Sequence, residues 1–304
     1  MCIQDIPVMY TKPLWTCDDG YQLIEAALTL CEKETEQDFS LKLLQRLLYI
    51  PEFVPSVFSH LSPSCQVILL DILAVYVTQE ESPDPSSMQH GQPSIPISYM
   101  PFLAEVFEHE ADTVFSFVSE EQWCNIKEQK KPELVMRLLS MLCEASCQPA
   151  VSSTLHQRTS LLECSLGLLD RANNAGKKDK NNFTCTQTPD DSISQTNPVF
   201  GFKRDLVRLI GNMCHNHKVN QDKVRELNGI PAILEQSNID STNPFISQWA
   251  IFAIRNLCAG NTSNQAIVAE MTNKGVVNND MLQQYGFQAE MREGKMYYKT
   301  TTKR

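Results

Sequence analysis

The sequence predicts an all-α protein built as a helical-repeat solenoid, with a small β-hairpin near its C-terminus. Three observations predict this. Apolar residues recur at helical spacing through most of the 304 positions. Two stretches, 206–227 and 250–271, superpose without a gap. Only 11 Gly are present, few for a nucleotide enzyme that needs several phosphate loops.

Residues 1–78 read as N-terminal helical repeats. In "GYQLIEAALTLCEKE", residues 20–34, Leu23, Ala27 and Leu30 share one face, and Ile24, Leu28 and Cys31 lie beside them. "DFSLKLLQRLLYI" is a second helix, stopped by Pro51. Ser62 and Pro63 supply the N-cap and first residue of a third helix, ending near residue 78. Residues 79–101 hold five Pro and several Ser and read as a linker or loop. Central helical repeats occupy 102–172, in "FLAEVFEHEADTVFSFV", "PELVMRLLSMLCEAS" and "LHQRTSLLECSLGLLDRA". Residues 173–201 are polar and read as a flexible loop, with Thr188-Pro189 in the form of a proline-directed phosphosite.

The internal repeat lies in residues 202–275. "LVRLIGNMCHNHKVNQDKVREL" aligns with "AIFAIRNLCAGNTSNQAIVAEM" at an offset of 44 residues, Leu206 over Ala250. Asn212 meets Asn256, Met213 meets Leu257, Cys214 meets Cys258, and Asn220-Gln221 meets Asn264-Gln265. Repeats of ~40–47 residues mark armadillo and HEAT arrays, in which each unit exposes an apolar face that only its neighbour buries. Gly229 is placed to end a short helix in a left-handed turn, Pro231 to start the next helix, and Pro244 to open the long third helix.

"GNMCHNHKVNQ" raises the question of a metal or catalytic Cys/His site. The repeat answers it. Cys214 is shared and reads as a small buried core residue, as do Cys143 and Cys147, one turn apart on a helix. His215 and His217 are not shared, and read as neighbours of a helix C-terminus. Zinc would need two further ligands, and no CxxC pair exists to supply them.

Composition narrows the function. The formal charge of −10 argues against nucleic acid as a partner. The last 13 residues are nonetheless basic, carrying Arg292, Lys295, Lys299, Lys303 and Arg304 against Glu293. No basic and apolar leader pattern opens the sequence, and its longest apolar run is interrupted by Asp71, so an intracellular protein without membrane insertion is expected. The 11 Cys lack paired short spacings and read as reduced thiols. On that reading the sequons at Asn182 and Asn261 are chance matches. No Gly-rich phosphate loop, nucleophile elbow or HExxH motif appears, so neither an enzyme nor a bound cofactor is expected.

Residues 276–304 read as a helix, a hairpin and a basic tail. Phe287, Ala289 and Met291 alternate with polar residues, as do Met296 and Tyr298, with Glu293-Gly294 as the turn. Such a hairpin is marginal alone and is expected to pack against the final helices.

"GFKRDLVRLIGNMCHNHKVNQDKVRELNGIPAIL" and "NPFISQWAIFAIRNL" resemble the C-terminal domain of the ataxin-10 family. "LLDILAVYVTQEESP" and "SLLECSLGLLDRANNAGKK" resemble it more loosely. The family's members are longer, which leaves room for N-terminal repeats absent from this sequence. The resemblance implies a non-enzymatic protein-binding scaffold, cytoplasmic and in its narrower form perinuclear. It implies roles in neuronal survival, neurite outgrowth and cytokinesis, and as partners a G-protein β subunit and the O-GlcNAc transferase, with self-association a further expectation. A membrane-surface or trafficking adaptor using the basic tail is the alternative.

The wider armadillo pattern implies a groove along the third helices, where an Asn holds the backbone of an extended ligand. Asn212 and Asn256 match that position. Arg208 and Phe252 stand one turn earlier, where nuclear-import receptors carry Trp, and Trp249 stands seven residues before Asn256. With Arg255, these six residues form the candidate groove. The alternative role for the two Asn is a structural bridge between adjacent repeats.

Overall fold

The computed structural model describes residues 13–31, 37–78, 99–118, 131–178, 180–187, 197–273, 287–292 and 295–300. Helices α1 (Asp18–Cys31) and α2 (Gln37–Leu48) pack together. The short α3 (Phe53–Val57) runs through a 3₁₀ turn to α4 (Pro63–Thr78). Then come α5 (Tyr99–Glu110), a 3₁₀ segment (Ala111–Val118), α6 (Lys131–Ser146), α7 (Pro149–His156) and α8 (Thr159–Lys178). The C-terminal part holds α9 (Phe202–Met213), α10 (Lys218–Glu226), α11 (Gly229–Leu234), α12 (Ile246–Cys258) and α13 (Thr262–Asn273).

The fold is an all-α helical solenoid. Its spine is the row α4, α6, α9, α12, each helix packed on the next. One apolar cluster runs along it from Ile24 in α1 to Leu257 in α12. Burying a Leu or Phe completely contributes roughly 1.5–3 kcal/mol, so this continuous cluster holds the row together. α9 lies in the middle of the row, and Phe202, Leu206, Val207, Leu209, Ile210 and Met213 are all buried in it. Gly211 permits a close approach: a Cβ there would lie 3.0 Å from both Cα and Cβ of Ala253 on α12.

Repeat equivalence extends to single hydrogen bonds. Asn220 Nδ2 donates to the Met213 carbonyl at 2.8 Å, and Asn264 Nδ2 donates to the Leu257 carbonyl at 2.8 Å. Gln221 Nε2 reaches the Cys214 carbonyl at 3.2 Å, and Gln265 Nε2 reaches the Cys258 carbonyl at 2.8 Å. In each unit an Asn-Gln pair on one helix satisfies the orphan carbonyls at the end of the helix before it.

Several expectations are corrected. Leu23 is exposed; the buried face of α1 is Gly20, Ile24, Ala27 and Leu28, the side on which α2 and α4 pack. Positions 99–101, assigned to the linker, form the first turn of α5. Tyr99 is fully buried there and its hydroxyl donates to the Leu48 carbonyl at 3.0 Å, an anchor invisible in a Pro-rich context. The helix expected over 155–172 is broken between His156 and Thr159. The break is held by Arg158, which pairs with Glu108 at 2.6 Å and donates to the Pro101 carbonyl. The loop expected from position 173 begins later, because α8 continues to Lys178. The described part of that loop is packed: Phe183 is buried between Phe115 and Phe202. Thr188-Pro189 and residues 79–98 lie outside the described residues.

Two turns also differ. Asn228, not Gly229, takes the left-handed conformation, at φ 55°. Gly229 is instead required by space, since a Cβ there would lie 2.7 Å from Leu166 Cδ2 and 2.9 Å from Val224 Cγ1. Phe245, at φ 64°, precedes α12, so Pro244 stands just outside the helix it was expected to open.

β1 (Phe287–Arg292) and β2 (Lys295–Thr300) pair antiparallel, with Arg292 opposite Lys295. The expected turn at Glu293-Gly294 and the basic end of the chain lie outside the described residues.

Candidate functional site

The six candidate groove residues all lie on the row of third helices. Arg208 on α9 forms an ion pair with Glu144 of α6 at 2.6 Å. On its other side its guanidinium carbon lies 5.0 Å from the centre of the Trp249 ring, a cation–π distance. Trp249 meets Phe252 edge to face, with ring centres 5.9 Å apart and planes at 88°. Glu144, Arg208, Trp249 and Phe252 thus form one strip crossing three consecutive helices. Burial works to lower the Arg208 pKa, but the bonds to Glu144 and Cys147 outweigh it and raise it above the ordinary arginine value. The charge of this arginine is therefore fixed. Phe252 and Arg255 are exposed.

Asn212 and Asn256 are placed differently. Both are buried. Asn212 Nδ2 donates to Ser146 Oγ of α6 at 2.9 Å and to Cys147 Sγ at 3.3 Å. Asn256 Nδ2 donates to the Gly211 carbonyl of α9 at 2.9 Å. Each side-chain amide therefore bridges to the preceding third helix. The donors that would face an extended ligand are used inside the fold, which is the bridging role.

The Cys/His stretch resolves into separate tasks. Cys214 is buried, and burial pushes its thiol pKa well up. Cys143 is buried too, and its thiol donates to the Asp205 carbonyl at 3.0 Å. Cys147 departs from expectation: it is exposed, and Asn212 and Arg208 direct donors at its sulfur. His217 works at a helix start rather than a helix end. It is the N-cap of α10, its Nδ1 accepting from the Asn220 N–H at 3.3 Å. Asn261, its equivalent in the next unit, accepts from the Asn264 N–H in the same way. His217 also lies 5.0 Å, ring centre to ring centre, from His156. His156 Nε2 is 3.1 Å from the Asn212 carbonyl, which can only accept, so that nitrogen carries the proton. Burial lowers the His156 pKa, with His217 and His215 adding to the effect and the Asn212 carbonyl opposing it. Among the described residues no group of three His, Cys, Asp or Glu has an arrangement that could hold a metal ion.

One feature has no trace in the sequence. Lys203 at the start of α9 and Asp240 in the loop before α12 form a buried ion pair at 3.0 Å. Burial would raise the Asp240 pKa, but Lys203 and hydrogen bonds from Thr242 and Asn243 bring it below the ordinary carboxylate value. The pair lines a cavity of about 130 Å³ together with Asn173, Gln236 and Phe183. Its members are far apart in sequence, with no motif to join them. Among the described residues no helix is long and apolar enough to cross a membrane.

Comparison with known proteins gives concordant matches. Residues 202–299 match the family pattern described as the spinocerebellar ataxia type 10 protein domain. Ataxin-10 of Xenopus tropicalis is 35% identical over 260 residues, covering 86% of this chain and 52% of that protein. Ataxin-10 of Homo sapiens is 34% identical over 278 residues, covering 89% and 55%. An ataxin-10 homolog of Dictyostelium discoideum is 42% identical over 105 residues, covering 34% and 17%. The chain spans about half the length of the animal relatives it matches. No solved structure gives a significant match.

Proposed function

The chain belongs to the ataxin-10 family, and from that premise we propose that it is a non-enzymatic scaffold that binds partner proteins along its row of third helices. The observation that carries this reading is the strip Glu144, Arg208, Trp249 and Phe252. A cation held between a carboxylate and an indole, beside an exposed phenyl ring, presents a rigid surface of mixed character. Aromatic and Arg side chains of this kind dominate the energetics of protein interfaces. In an armadillo-type array this face is the one that receives extended segments of a partner. The bridging of Asn212 and Asn256 moves the contact from those amides to the Arg208, Trp249 and Phe252 strip and the neighbouring Arg255.

By the resemblance, the proposed partners are a G-protein β subunit and the O-GlcNAc transferase, met in the cytoplasm in the service of neurite outgrowth and cytokinesis. The test is a pull-down of each purified partner by the intact chain and by Phe252→Glu. Phe252 is on the surface, so the variant keeps its fold, as circular dichroism will verify. We expect at least one partner to be retained by the parent chain and lost by the variant. Retention of both at parent levels by Phe252→Glu, or failure of the parent to retain either, would overturn the reading.

A further inference from the structure

The cavity beside Lys203 and Asp240 lies where three elements meet. Lys203 is near the start of α9, Asp240 is in the loop before α12, and Asn173 stands on α8. Their exposures are 5%, 6% and 7%, so all three are more than nine-tenths buried. Phe183 and Ile246, also buried, add apolar lining. Lys177 and Glu235, exposed and paired at 2.6 Å, stand on the solvent side.

The polar groups of this cavity are not balanced. The Asp240 carboxylate is saturated. Its Oδ1 accepts from the Thr186 and Thr242 N–H groups and the Thr242 hydroxyl, and its Oδ2 accepts from Asn243 Nδ2 and Lys203 Nζ. Donors are left over. The Lys203 ammonium carries three protons, and the bond to Asp240 uses one. The orientation of Asn173 is fixed by a chain of bonds. The Ala232 carbonyl can only accept, so the Gln236 atom facing it is Nε2. That nitrogen also donates to Asn173, so the Asn173 atom it meets, at 3.1 Å, is Oδ1. Asn173 Nδ2 is therefore the remaining donor. It is buried and has no hydrogen-bond partner among the described residues. Such donors are costly to leave unsatisfied, and native structures hold few of them.

We propose that this cavity binds a small monocarboxylate, whose oxygens accept from Asn173 Nδ2 and Lys203 Nζ while its short apolar body lies against Phe183 and Ile246. Size decides against a macromolecule. A cavity of about 130 Å³ admits a ligand of on the order of ten heavy atoms, since a single water needs roughly 10–15 Å³. Charge decides the class. The charges already present are paired one to one, Lys203 with Asp240 and Lys177 with Glu235. A dianion such as phosphate would face two carboxylates with no surplus cation. A monoanion with two acceptor oxygens matches two donors, one of them charged, and charge-assisted hydrogen bonds are the stronger kind. Arg208, Trp249 and Phe252 are not among the lining residues, so this inference does not depend on the proposed function.

The test is NMR on the full chain, titrated separately with butyrate, butyramide and inorganic phosphate and read at the Asn173 side-chain amide. We expect butyrate to shift this amide saturably, with cross-relaxation from the butyrate methyl to the Phe183 ring and the Ile246 methyls. Butyramide and phosphate should bind at least tenfold more weakly. Shifts that grow linearly with butyrate, or cross-relaxation only to residues outside the cavity, would overturn the proposal. Butyramide or phosphate binding as tightly as butyrate would overturn the carboxylate assignment. As a second arm, Asn173→Leu removes the donor at similar volume and leaves Gln236 bonded to Ala232. It should weaken butyrate at least tenfold, read at the Ile246 methyls, with the helical signal unchanged. Parent-like affinity in a folded Asn173→Leu would contradict the proposal; if that variant does not fold, the cross-relaxation in the parent chain decides.

Discussion

Asn256 donates its side-chain amide to the main-chain oxygen of Gly211, 2.9 Å away on the preceding third helix. The bond sits beside the close contact of α9 with α12 at Gly211 and Ala253. It therefore reports on how the row is held together. Asn256→Ala leaves a buried carbonyl without this partner and should cost about 1–3 kcal/mol of stability. Chemical denaturation monitored by circular dichroism should show the midpoint falling with the slope unchanged. An unchanged midpoint would mean that the bridge carries no weight.

Gly211 itself should tolerate no large side chain. Gly211→Leu must displace the backbone of Ala253, and overpacking of this kind costs roughly 1–3 kcal/mol or more. Thermal melts should register the loss. A variant as stable as the parent would show that α9 and α12 separate freely.

Leu257 is fully buried, as is its equivalent Met213. Leu257→Ala should cost about 2–5 kcal/mol, the usual range for a large-to-small change in a core. Denaturant titration measures it. No shift in midpoint would place this face outside the core and break the repeat register.

The histidine pair predicts a pH dependence. Burial, with His217 and His215 beside it, lowers the pKa of His156 in the folded state below its unfolded value of about 6.5. The unfolded chain then binds more protons, so stability is full above that value and falls as pH drops through the folded pKa. Melting temperatures from pH 7.5 to 5 should fall for the parent and fall less for His156→Gln. Parallel profiles would remove His156 from the account.

Much of the fold was legible in the sequence. The helical periodicity and the offset between Leu206 and Ala250 are local or repetitive signals, and the Asn220 and Asn264 bonds follow from them. What was hidden depends on distant partners. Tyr99 is helical because Leu48 accepts its hydroxyl, and the α7–α8 break exists because Arg158 finds Glu108. The candidate site divides the same way. Arg208, Trp249 and Phe252 could be named from the repeat pattern. The capture of Arg208 by Glu144, and the inward donation of Asn212 and Asn256, could not, because a pattern gives position on a helix but not the neighbour a side chain meets.

We propose that the third-helix strip recognises proteins. Its most direct test is the affinity of the intact chain for a purified G-protein β subunit or O-GlcNAc transferase, measured by calorimetry beside two surface variants. Phe252→Glu alters the strip, and Val219→Ser alters an exposed residue on α10. A protein-binding strip there gives at least a tenfold weaker Kd for Phe252→Glu and a parent-like Kd for Val219→Ser. Equal affinities for Phe252→Glu and the parent, or a loss confined to Val219→Ser, would contradict it.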